Sequence, residues 1–227
     1  MMNNMDIACF FNRINHSNLI IRNMKRKTAV WFLSLLLAVA MTHCFVWSFY
    51  PLFTPGDLRP NDLLAGEWLT GDSTGWKFGY LVRREKESPP VADSTTYVLT
   101  FREKDEKWSG SSMLVRVVSL DGNLFLDFFI NEIEREGYPD FFDLHTFPVH
   151  TFARLTQTAD SLQLQWMDPG WMKRLAGAGK LKIRHLMRED EVLLTAPTGD
   201  LQKFVVKHAR NEEAWKDGMS ITLTRPQ

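Results

Sequence analysis

Two histidines, His145 and His150, stand within eight residues together with Asp143, a set that a metal could use. Imidazole and carboxylate are common zinc ligands. The spacing is not that of a His pair on one helical turn, no fourth ligand is evident, and no cysteine follows Cys44. The expectation is therefore no metal, with His150, just before an alternating strand, packing at a barrel rim and His208 serving the last carbonyls of a helix. Nucleophilic chemistry has no better foothold, since there is no Gly-x-Ser-x-Gly elbow and no phosphate loop. Asp127 interrupts the apolar strand Leu124-Phe125-Leu126-Asp127-Phe128-Phe129. A carboxylate buried there would be costly unless paired, and period two turns it to a polar face or toward a nearby arginine. No catalytic residue and no cofactor are expected, so the chain reads as a non-enzyme.

A binding role has more support. Between Ile130 and Phe147 lie sixteen residues, NEIEREGYPDFFDLHT, long against the two to five of an ordinary hairpin. Long loops in compact domains commonly carry function. Tyr138, Phe141, Phe142 and His145 are the candidate ligand-binding residues, either as a lid over an opening or as a plug folded into it.

These residues must be positioned by a domain of ordinary composition. The 227 residues are 44% hydrophobic and 24% charged, which excludes disorder, collagen and coiled coil. Of the 27 basic and 27 acidic residues, 5 basic and 1 acidic lie within the first 44, leaving 22 and 26 and a net charge of −4. A domain this acidic is a poor nucleic-acid binder.

The N-terminus reads as a targeting segment. Lys25-Arg26-Lys27 precedes the run AVWFLSLLLAVAM from Ala29 to Met41, the layout of a signal n-region and h-region beginning at Met24. Residues 1–23 are expected to be an upstream extension. Counted to Tyr50 the run is long enough to span a bilayer; alternatively it ends at Cys44, which would become a lipidated first residue. Both endings place the domain outside the cytoplasm, tethered to a membrane. Without internal cysteines it is held by packing alone.

Residues 45–62 carry three prolines and a glycine among aromatics and read as a tether, with the domain at 63–227. Period-two patterns cover 66–70, 76–83, 95–104, 111–120, 124–130, 151–157, 162–167 and 220–225, about eight strands, with Asp121-Gly122-Asn123 as a hairpin signal. Asp168-Pro169 opens a helix closed by Gly177 or Gly179, and Thr198 caps a second running to about Arg210. Leu193-Leu194 between them is a candidate short strand. The expected fold is mainly β, an up-and-down antiparallel barrel of about eight strands with two short helices before the last, because closure removes the sheet edges.

Gly66-Glu67-Trp68 at the first strand resembles the Gly-x-Trp signature of lipocalins and their calycin relatives. That resemblance implies a Trp closing one end of the barrel with a basic residue of the last strand across its indole, here Arg225. The succession PLFTPGDLRPNDLLAGEW, LFLDF, FPVHTFARL, LQLQWMDPGW and LLTAPTGDLQKFVVKHA is similar to a family of small bacterial envelope lipoproteins of unassigned function, and implies a lipocalin-like barrel whose export cysteine is Cys44. The expected function is a membrane-tethered extracytoplasmic module that binds a small hydrophobic or amphipathic ligand; the alternative is a structural or interaction protein of the envelope whose barrel is filled. The number of bulky inward side chains separates the two.

Overall fold

The computed structural model describes residues 45–83, 90–104, 106–108, 112–131, 147–188 and 191–226. Eight antiparallel strands form a closed barrel: β2 (Gly66–Leu69), β3 (Gly75–Arg83), β4 (Val91–Arg102), β5 (Ser112–Leu120), β6 (Asn123–Ile130), β7 (Thr151–Gln157), β8 (Ser161–Trp166) and β11 (Ser220–Thr224), in the order β11-β2-β3-β4-β5-β6-β7-β8. The mainly β, eight-stranded expectation is met. β5 and β6 pair through a tight turn because its residues allow it: Asp121 and Gly122 both take positive φ, at 49° and 73°, as a two-residue hairpin of the favoured twist requires.

The inward rows hold Trp68, Trp76, Phe78, Tyr97, Leu99, Phe128, Leu164 and Trp166, all buried. Bulky side chains therefore occupy the barrel interior, the property assigned above to a filled barrel rather than a cup.

The chain leaves the barrel after β8 and returns at β11. In between stand helix α1 (Pro169–Gly177), strands β9 (His185–Arg188) and β10 (Glu191–Leu194), and helix α2 (Thr198–His208). Asp168 caps α1 as expected, accepting from the Gly170 and Trp171 amides at 2.7 and 2.9 Å. Thr198 does not cap α2. Pro197 holds the cap position, and the Thr198 hydroxyl donates instead to the Pro51 carbonyl at 2.9 Å, since that tertiary acceptor lies within reach. The helix ends at His208, two residues short of the expected boundary.

A second core lies outside the barrel wall. Val118, Leu120, Phe125 and Phe152 point outward from β5, β6 and β7 and are covered by Trp171 and Met172 of α1, Val192 and Leu194 of β10, and Leu201, Phe204 and Val205 of α2. The segment 45–62 belongs to this layer and is not a free tether. Val46–Ser48 forms β1, parallel to β10 and bridged to His150, while Leu52 is fully buried. Its prolines bend the chain; its apolar residues drive it onto the wall, because exposing them would forfeit about 1.5–3 kcal/mol per large side chain. No helix among the described residues is long and apolar enough to cross a membrane.

Candidate functional site

Tyr138, Phe141, Phe142 and His145, the expected ligand contacts, lie outside the described residues, as do Asp143 and Cys44. Among the described residues no three His, Cys, Asp or Glu side chains gather as a metal site.

Gly66, Trp68 and Arg225 do come together, at the end of the barrel where β2 begins and β11 finishes. The Arg225 guanidinium carbon lies 3.7 Å from the centre of the Trp68 ring. Its nitrogens donate to the Leu63, Ala65 and Glu67 carbonyls at 2.9, 3.0 and 3.4 Å, and the Trp68 indole donates to Leu64 at 2.9 Å. Gly66 is needed twice over: its φ is +110°, and a Cβ there would meet Arg225 Nη1 at 2.7 Å. The arrangement closes the barrel and offers no open surface for chemistry. An Arg225→Ala/Trp68→Leu double-mutant cycle is expected to return a coupling of about 0.5–2 kcal/mol in urea unfolding; strict additivity would show that the stacked contact contributes nothing.

Asp127 departs from expectation. It does not face solvent: it is fully buried on the outer wall of β6, opposite Arg116 of β5 in the strand register and against the N-terminal segment. One carboxylate oxygen pairs with His150 Nδ1 at 2.8 Å, and the other accepts the Leu52 amide at 2.9 Å. Phe129 stacks on the imidazole with ring centres 4.3 Å apart. His150 is therefore a partner of Asp127 and not a bare rim residue. Both groups are consumed by structural contacts, and the pair pins the segment that carries β1 to the barrel.

The concave site lies elsewhere, over the second core. A cleft of about 770 Å³ opens between α1, the 180–184 segment and α2. Trp171, Phe204 and His208 form its aromatic floor, with His208 4.8 Å from each of the other two rings. Burial, aided by the neighbouring Lys207, holds the His208 imidazole below its usual value, so the ring is neutral at neutral pH. His208 thus contributes to the floor rather than to the terminal carbonyls of α2.

Five cations rim this floor: Lys180, Lys182, Arg184, Lys203 and Lys207. A single acid, Asp200, stands with them and is engaged by Lys203 at 3.4 Å. Lys182 donates to the Gly179 carbonyl at 2.9 Å. The side chains of Lys180, Arg184 and Lys207 have no hydrogen-bond or ion-pair partner among the described residues. Such a cleft can take a ligand with an apolar or aromatic body and an anionic group, the body on the rings and the charge among the cations.

The sequence held a signal for this site that the strand-by-strand reading passed over. Lys180-Leu181-Lys182-Ile183-Arg184 alternates strictly, both apolar members are buried, and all three cations line the cleft. Lys203 and Lys207 are four apart on α2 and share a face. No protein family, no curated protein and no solved structure matches this chain.

Proposed function

We propose that this chain is a membrane-tethered, extracytoplasmic binding module of the bacterial envelope, lipocalin-like in architecture, whose filled barrel is the scaffold and whose cleft between α1 and α2 holds an anionic amphiphile. The observation that carries the reading is a contrast of charge. The part of the chain after residue 44 has a net charge of −4, yet five of its cations and only one acid surround the cleft described above. A cationic rim held against the net charge of the domain, over a floor of rings, favours a ligand with a negative head and an apolar body. The ligand class stays within the small amphipathic molecules expected from the sequence; the place of binding moves from the barrel mouth to the outer layer.

The purified full chain should bind dodecyl phosphate and an anilinonaphthalene sulfonate probe. Lys180→Glu together with Lys207→Glu should weaken both by about tenfold or more, equivalent to about 1.4 kcal/mol, while leaving the urea midpoint in place. These lysines are exposed and make no contact that the fold needs, so the loss would report the rim. A folded chain that binds neither probe, or binds them unaltered after both substitutions, would leave the filled barrel as a scaffold with a surface role alone.

A further inference from the structure

The three-stranded sheet β1-β10-β9 has one face on the second core and one face turned away from it. Alternation and register fix which residues share the outer face. Trp47 pairs with Leu193 and Leu193 with Leu186, in one row across the sheet. Val46, Ser48, Val192 and Leu194 point the other way and are buried. Phe49, at period two from Trp47, packs at 5.0 Å on Phe147, which is 71% exposed, while Phe45 lies 5.7 Å from the Trp47 ring and also 5.7 Å from Trp166 of the barrel core, rooting the row in the fold. Leu186, on the free edge strand, is 57% exposed. Arg188 shares the face with Leu186, and Arg184, just before β9, rims the cleft.

We propose that this aromatic and aliphatic face seats in the interfacial region of an anionic bilayer, with Arg184 and Arg188 at the headgroups and the cleft opening at that level. This rests on the reading of residues 24–44 as the membrane attachment. The occupant follows from where the chain enters. The uncharged run Ala29–Met41 ends four residues before Phe45, an extended reach of about 14 Å, and Cys44 is joined directly to Phe45. Because β1 already occupies Val46–Ser48, the attachment must end by Cys44, which keeps Trp47 and its row within a few residues of the bilayer surface. Rings and arginines side by side are the composition of a membrane–water interface, where each ring keeps its apolar body in lipid. Two consequences follow for the cleft. It draws its ligand from, or presents it to, the lipid headgroup layer, and its anionic amphiphile is of the phospholipid or acyl-phosphate class.

The test uses the full chain reconstituted in vesicles of phosphatidylethanolamine and phosphatidylglycerol, with and without lipids brominated near the carbonyl end of the acyl chain. The emission removed by Trp47→Phe should be the part that brominated lipid quenches, at least twofold beyond the quenching of the emission removed by Trp68→Phe at the closed end of the barrel. Iodide in the aqueous phase should quench the Trp47 component, taken as the wild-type minus Trp47→Phe difference, less in detergent-free vesicles than in mild detergent. A chain that floats with the vesicles while Trp47 stays as open to iodide as in detergent overturns the seating and would leave that face for a protein partner. A chain that does not float overturns the attachment itself, and the seating with it.

Discussion

Asp127→Ala should destabilise the domain by about 3–5 kcal/mol, read as a fall in the urea midpoint with an unchanged slope. The carboxylate is fully buried and has two donors, the Leu52 amide at 2.9 Å and His150 Nδ1 at 2.8 Å. Removing it strands both donors in a place water does not reach, so the loss is their desolvation penalty as well as two hydrogen bonds. Asp127→Asn retains one acceptor and should cost less. His150→Phe combined with Asp127→Leu should recover part of the loss, because replacing a buried pair by apolar residues of similar volume is often neutral or better. The single variant should also loosen the N-terminal segment before it unfolds the barrel. Limited proteolysis is expected to cut near Phe49 to Phe53 in Asp127→Ala under conditions where the wild type resists, since Leu52 loses its hydrogen bond to β6. A loss below about 1 kcal/mol, with no change in cleavage, would mean that Asp127 is satisfied by another group and that the segment is held by packing alone.

The misreading of Asp127 shows where sequence patterns stop. Period two assigned it correctly to the outward row of its strand, with Phe125 and Phe129. What failed was the equation of outward with polar. In Leu124 to Phe129 both rows are apolar except for Asp127, and a strand apolar on both faces is covered on both faces. The covering layer is built from β1, β10, α1 and α2, segments separated from β6 by 75 residues on the N-terminal side and by about forty or more on the other, so no local window contains the donors. The same distance hid the role of segment 45–62, whose turn residues are visible locally and whose burial is not. The barrel itself was legible because β2 to β8 pair successively in sequence order, β5–β6 and β7–β8 across tight turns. Its closure by Gly66, Trp68 and Arg225 was legible only through a resemblance, since the contact joins residues about 160 apart. The cleft lay between these cases. Its cations are readable as an alternation and an i,i+4 pair, but only the packing of α1 against α2 brings the two sets around one floor.

Gly218→Ala should cost about 3 kcal/mol or more, among the largest effects open to a single added methyl. A Cβ at this position would stand 2.1 Å from the Trp166 carbonyl oxygen, 3.0 Å from its carbon and 3.1 Å from the Asp168 nitrogen. All three are backbone atoms, so no side chain can swing aside. The backbone cannot yield cheaply either: the Trp166 amide donates to Met219 and the Asp168 amide to Ala214, each at 2.8 Å, and the Gly218 amide donates to Trp215 at 3.0 Å. This is the place where the excursion carrying the cleft both leaves the barrel and returns to it, and the two crossings lie against each other with room for hydrogen only. The added methyl must part β8 from the start of β11, or shift the Asp168 cap and with it α1 and the Trp171 floor. Probe binding at the cleft should therefore fall together with stability, whereas Gly177→Ala, at the end of α1 with open space around it, should be neutral or stabilising by up to about 1 kcal/mol and leave binding alone. A Gly218→Ala chain as stable as the wild type would mean that the two crossings are free to separate, and the cleft would then lack the rigid base that its geometry implies.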